Sequence, residues 1–80
     1  MKRSVRARTI EKNRWKRKFA YELRSLMESR GIDEIKLAEL SDLSQPCISN
    51  YLNGKCIPIA YNLYKICKAL GVPTDTLMDF

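Results

Sequence analysis

Apolar residues recur along the chain at helical rather than strand spacing. Trp15, Phe19, Leu23, Leu26 and Met27 fall at i, i+4, i+8, i+11 and i+12, one face of a helix from about Asn13 to Arg30. Asn13 suits the N-cap, and Gly31 suits the left-handed residue that ends the helix. Asp33 can cap a second helix over about Glu34 to Ser41, with Leu37 and Ala38 inward beside Ile35. Asp42 then takes a sharp turn, since Asp tolerates left-handed backbone better than most side chains. Leu43 follows as a core plug, and Ser44 caps a third helix through Asn53. Pro46 falls in the first turn of that helix, where a missing N–H costs little. Ile48, Tyr51 and Leu52 form its apolar face, and Asn53-Gly54 ends it. Pro58 precedes a fourth helix, about Ile59 to Leu70, striped by Leu63, Ile66, Cys67 and Leu70 and stopped by Gly71. Pro73 and Thr74 open a fifth, Asp75 to Phe80, with Leu77 inward. No stretch alternates convincingly over a strand's length, and every connector is short. The pattern predicts an all-α chain folded as a compact five-helix bundle.

Composition narrows the class. Eighty residues bury only roughly 60% of their unfolded surface, enough for one modest core. At 45% apolar, the chain is too hydrophobic for a disordered polyelectrolyte. No apolar run approaches the ~18–20 residues of a membrane helix, so no membrane partner is expected. The basic N-terminus lacks the apolar segment of a secretory signal.

The net charge of +6 is unevenly placed. Residues 1–18 hold nine cations against Glu11 alone, a local charge of +8. Residues 19–80 hold six cations against eight carboxylates, −2. This divides the chain into a flexible basic N-terminal arm, 1–12, carrying Lys2, Arg3, Arg6, Arg8 and Lys12, and a folded domain, 13–80. Such an arm is either a solubilising tail or a tracker of nucleic-acid phosphates.

Catalytic chemistry has no obvious seat here. There is no histidine, no paired-carboxylate spacing and no glycine-rich phosphate loop, so an enzyme is not expected. Cys47, Cys56 and Cys67 form no C-x-x-C pair and no histidine could complete a zinc set, so no metal is expected; no cofactor or small-molecule ligand is expected either. Without a secretory signal a disulfide framework is not expected either, which points to a reducing cytoplasm. Cys67 reads as a small core residue and Cys56 as incidental. Cys47 is more readily a bystander than a redox switch.

The informative stretch joins Glu34–Ser41 to Ser44–Asn53 through a tight turn, with Ala38 small enough for close helix approach. The second of these helices offers Gln45, Ser49 and Asn50, amides and a hydroxyl able to hydrogen-bond base edges in a major groove. Gly31, Leu37-Ala38, Leu43-Ser44, Ile48, Asn53-Gly54-Lys55, Pro58 and Ala69-Leu70-Gly71-Val72…Leu77 occur together in register. In these landmarks the chain, from about Phe19 to Leu77, resembles the lambda-repressor-like helix-turn-helix family of phage Cro/repressor (XRE) type.

The resemblance implies a sequence-specific regulator of transcription that binds double-stranded DNA, of the phage or mobile-element repressor kind. Such a protein works in the cytoplasm of a bacterial or phage-infected cell, at the nucleoid. It also allows a homodimer on a two-fold symmetric operator. Position by position, it assigns Gln45, Pro46, Ser49 and Asn50 to the bases, and Ser44, Asn53 and Lys55 to the sugar-phosphate backbone. Glu34 takes the phosphate-facing end of the second helix.

The departures from the family are specific. Glutamine is common where Glu34 stands, and a carboxylate there would repel a phosphate. Pro46 can offer only apolar contact, for example to a thymine methyl. Many relatives pair an arginine with a glutamate where this chain has Met27 and Leu52, which reads as an apolar swap within a retained fold. These departures shift grip to the arm. Two alternatives remain: a protein-interaction module (antitoxin or anti-repressor) using Leu40 and the Leu77-Met78-Asp79-Phe80 end, and RNA binding through the basic leader.

Overall fold

The computed structural model describes residues 2–78, and their side chains over 13–77. It holds five helices: α1 (Lys2–Arg30), α2 (Glu34–Ser41), α3 (Gln45–Leu52), α4 (Ala60–Leu70) and α5 (Asp75–Met78). No strand occurs among the described residues. Local chemistry sets the boundaries. Asp33 Oδ1 accepts from the Lys36 N–H at 2.8 Å and opens α2. Ser44 Oγ accepts from the Cys47 N–H at 3.2 Å and opens α3, with Pro46 in its first turn. Gly71, at φ 71°, closes α4, its N–H and that of Val72 returning to the Lys68 and Cys67 carbonyls.

The turn between α2 and α3 rests on Asp42, the one described non-glycine residue with positive φ, at 58°. The Leu43 N–H reaches back to the Ala38 carbonyl at 3.1 Å, so the backbone there is satisfied despite its handedness. Asp42→Val is expected to cost about 1–2 kcal/mol, because a β-branched side chain is crowded in this region. Asp42→Gly is expected to cost nothing. Urea midpoints of the two variants check this.

Phe19, Leu23, Met27, Leu37, Ile48, Leu63, Ile66 and Leu77 form one core with Tyr51, Leu52 and Leu70. Trp15, Leu26 and Leu43 cover it while half-exposed. Met27 and Leu52 are both buried among apolar neighbours, so the position of a polar pair is filled by core packing. Helix α2 lies against α3 and α4, and α1 spans α3, α4 and α5. Two arginines of α1 reach carbonyls at the ends of other helices. Arg30 Nε donates to the Leu70 carbonyl at 2.7 Å, and Arg24 Nη2 to the Leu52 carbonyl at 3.4 Å.

Several sequence-based boundaries move. Helix α1 begins at Lys2, so Asn13 lies inside the helix and does not cap it. Residues before Asn13 include no proline or glycine and many straight-chain residues, which favour helix. The side chains of Lys2, Arg3, Arg6, Arg8 and Lys12 lie outside the described residues, as do Asp79, Phe80 and the Met78 side chain. Asn53 caps α3 from outside, and Ile59 stands as the N-cap of α4. Ile35 is 57% exposed, not inward beside Leu37. At 100° per residue, Ile35 sits about 200° from Leu37 on a short helix with one buried face.

Candidate nucleic-acid interface

Helix α3 has two chemically distinct faces. Ile48, Tyr51 and Leu52 are buried, while Gln45, Pro46 and Asn50 are exposed and Ser49 is half-buried. The inner face is held at two levels. Phe19 meets Tyr51 edge-on, with ring centroids 6.2 Å apart and planes at 88°. From α4, Asn62 Nδ2 donates to the Tyr51 hydroxyl at 3.1 Å. Burial and the neighbouring Cys47 push the Tyr51 phenol up to about 12, against a smaller opposing effect of Asn62. The phenol is therefore neutral near neutrality. These contacts leave the outer face of α3 fixed in orientation rather than able to roll.

Backbone-holding candidates gather at the two ends of that face. Ser44 is exposed at the start of α3. At its far end Asn53 Nδ2 donates to Ser49 Oγ at 3.3 Å, and the Lys55 N–H returns to the Asn50 carbonyl at 2.9 Å. Gly54, at φ 68°, brings this turn against α1. A Cβ there would stand 3.8 Å from the Lys16 carbonyl oxygen and 4.0 Å from Arg17 Cα. The lower basic stretch of α1, Lys16 and Arg17, therefore runs beside the Asn53-Gly54-Lys55 turn. Sequence periodicity assigned these two cations only to a charged leader; their placement arises from packing distant in sequence.

Glu34 does not project alone into solvent. It is half-buried and lines a groove with Ser49 and Asn53, together with Arg24 of α1. Arg24 was given no role by the sequence pattern, because its partner, Leu52, lies 28 residues away.

A second concave surface lies between the end of α2 and α4, with Leu40, Tyr61, Tyr64 and Lys65 on its walls. Leu40 is 48% exposed, and Lys65 Nζ stands 4.6 Å from the centre of the Tyr61 ring. It shares no lining residue with the groove at Arg24.

Two of the three thiols differ from a reactive thiolate. Burial raises Cys56 and Cys67 above the ordinary thiol value, with Lys16 weakly opposing this at Cys56. Among the described residues no group of three or more His, Cys, Asp or Glu could hold a metal ion. No described helix is long and apolar enough to cross a membrane.

A short helix, a left-handed turn and a second helix fixed on its inner face with amides free outside define the helix-turn-helix class. The chain matches the HTH_3 helix-turn-helix family over residues 23–77 and belongs to that family, of XRE type. The architecture is that of XRE-type DNA-binding transcription regulators.

Solved structures agree in fold. The restriction-modification controller protein C.AhdI from Aeromonas hydrophila is 27% identical, with a TM-score of 0.75 over 78% of this chain and 94% of that one. The clp gene regulator ClgR from C. glutamicum is 25% identical, with a TM-score of 0.74 over 81% and 84%. An HTH_3 family transcriptional regulator from Vibrio cholerae gives a TM-score of 0.79 at 24% identity, over 85% of this chain but 38% of that one. No curated protein sequence matches the chain.

Proposed function

We propose that this protein is a sequence-specific double-stranded DNA-binding regulator of transcription, a repressor of phage or mobile-element type. The observation that carries this reading is the free polar face of α3, with Gln45, Pro46 and Asn50 exposed and Ser49 beside them. That face enters the major groove. Gln45 makes the leading base contact, since its amide can bond adenine with two hydrogen bonds, and Pro46 offers apolar surface to a thymine methyl. Ser44, Asn53 and Lys55 hold the backbone at either end, and the basic residues of 1–12 supply further phosphate contacts. Binding, not catalysis, is the activity, and a homodimer on a two-fold symmetric operator is its active form.

Selecting bound sequences from random duplex DNA tests the reading. A two-fold symmetric motif supports both specificity and dimerisation, since half-site spacing mirrors protein symmetry. No enrichment at all would sink it. On the selected site, Gln45→Ala is expected to cost about 1–3 kcal/mol in titrations, with little change on random DNA. Equal losses on both would mean that Gln45 does not read bases. The α2–α4 surface around Leu40 and Tyr61 favours one second reading, capture of a protein partner. Retained partner capture by a chain unable to bind DNA would favour it.

A further inference from the structure

We infer that Arg24 is a DNA-backbone contact of this protein, gripping a phosphate between the start of α2 and the end of α3. The inference rests on the DNA-binding reading above and adds a residue to it from outside the two helices of the motif. Arg24 sits on α1, yet its guanidinium reaches the last carbonyl of α3, Leu52, at 3.4 Å. That distance is at the long end for a hydrogen bond, and it engages one of the five N–H donors of the group. Among the described residues no other bond of Arg24 is found, and the residue is exposed. The contrast with Arg30 is direct. Arg30 bonds the Leu70 carbonyl at 2.7 Å and Ser29 Oγ at 3.3 Å, so it is occupied by structure.

The position of Arg24 matters because of what shares its groove. Ser49 and Asn53 stand on one wall, and Glu34, first residue of α2, stands on another. A phosphate arriving there meets the Asn53 amide and the N-terminal dipole of α2, both favourable. It also meets carboxylates. Glu28, Asp33 and Glu34 all line the groove, and Arg24 is the cation among its lining residues. Asp33 accepts from the Lys36 N–H yet keeps its negative charge, so all three carboxylates repel an arriving anion. A planar guanidinium, always charged and suited to two-point contact with phosphate, partly offsets them within the same groove. The lightly held side chain keeps donors to spare for the incoming anion. Arg24 thus makes a phosphate contact tolerable at a helix start that carries Glu34.

Titration of full-length Arg24→Gln, Arg24→Lys and Glu34→Gln against random duplex DNA over a series of salt concentrations tests this, with thermal unfolding measured alongside. Arg24→Gln is expected to lower the log–log salt slope by about 0.9 and to weaken binding about eight-fold near 0.1 M salt. Arg24→Lys, which keeps the charge, should retain the slope. Glu34→Gln should tighten binding, and this arm stands even if Arg24→Gln fails to fold. A slope equal to the parent's in folded Arg24→Gln would make the guanidinium a cap of α3 only and overturn the inference. Unchanged binding by Glu34→Gln would likewise overturn it. A parent chain that binds with its slope indifferent to Arg24 sinks this inference alone. A parent chain that binds no duplex at any salt sinks the DNA-binding reading as well.

Discussion

Replacing Phe19 by alanine is expected to destabilise the fold by about 3–5 kcal/mol, the usual cost of emptying a buried aromatic site. Phe19 is fully buried, and it connects helices rather than filling one corner. Its ring stacks on Trp15 at 5.4 Å between centroids and meets Tyr51 edge-on at 6.2 Å. It therefore couples α1 to the inner face of α3. A domain of this size is stable by only about 4–12 kcal/mol, so at the low end of that range the variant sits close to its unfolding midpoint. Urea unfolding followed by circular dichroism measures the change. Tyr21→Ala on the same helix is the control, since Tyr21 is 69% exposed and its removal should stay within about 0.5 kcal/mol. A change below about 1 kcal/mol for Phe19→Ala would mean that the core is not built around this ring.

Removing the positive charge of residues 1–12 should have the larger effect on binding. Five cations lie there, Lys2, Arg3, Arg6, Arg8 and Lys12. Each phosphate that the protein ceases to neutralise takes about 0.9 from the salt slope, so engagement of all five would remove about 4.5. Between 50 and 200 mM salt the affinity of the parent chain should then fall some 10²–10³-fold further than that of the truncated one. Deletion of 1–12 leaves every described core side chain in place. A full-length version with the five cations changed to Gln keeps helix propensity and separates charge from chain length. The effect should be the same on specific and random duplexes, because phosphates carry no sequence. An unchanged slope in both versions would make these residues a solubilising tail. Weakened binding to structured RNA but not to duplex DNA would favour the RNA reading.

Legibility in the sequence followed the range of the interactions. The caps at Asp33 and Ser44, the left-handed Asp42 and the stop at Gly71 depend on a few consecutive residues, and the pattern places all of them where the structure does. The buried stripe of α4 was readable for the same reason, and the apolar filling at Met27 and Leu52 from the family resemblance. Ile35 was misplaced because two turns of helix give too few positions to fix a face. The start of α1 was misplaced because periodicity marks where a helix meets a core, and α1 extends past its core contacts. Least legible was the groove at Glu34. The sequence posed the conflict of a carboxylate beside a phosphate, but the cation lining the same groove comes from α1, and no local rule connects Arg24 with Leu52.

The shortness of α3 sets a limit on information. Eight residues at 1.5 Å each make a rod roughly 12 Å long, about the width of the major groove it would enter. A rod of that length addresses only a few base pairs, whereas a genome offers roughly 10⁶–10⁹ competing positions. In the proposed base-reading role, one copy of this helix would therefore spell a word too short to occur once. For the proposed homodimer on a two-fold symmetric operator, a second word at fixed spacing would supply unique addressing, and the distance between the two words would become as much a part of the message as the letters.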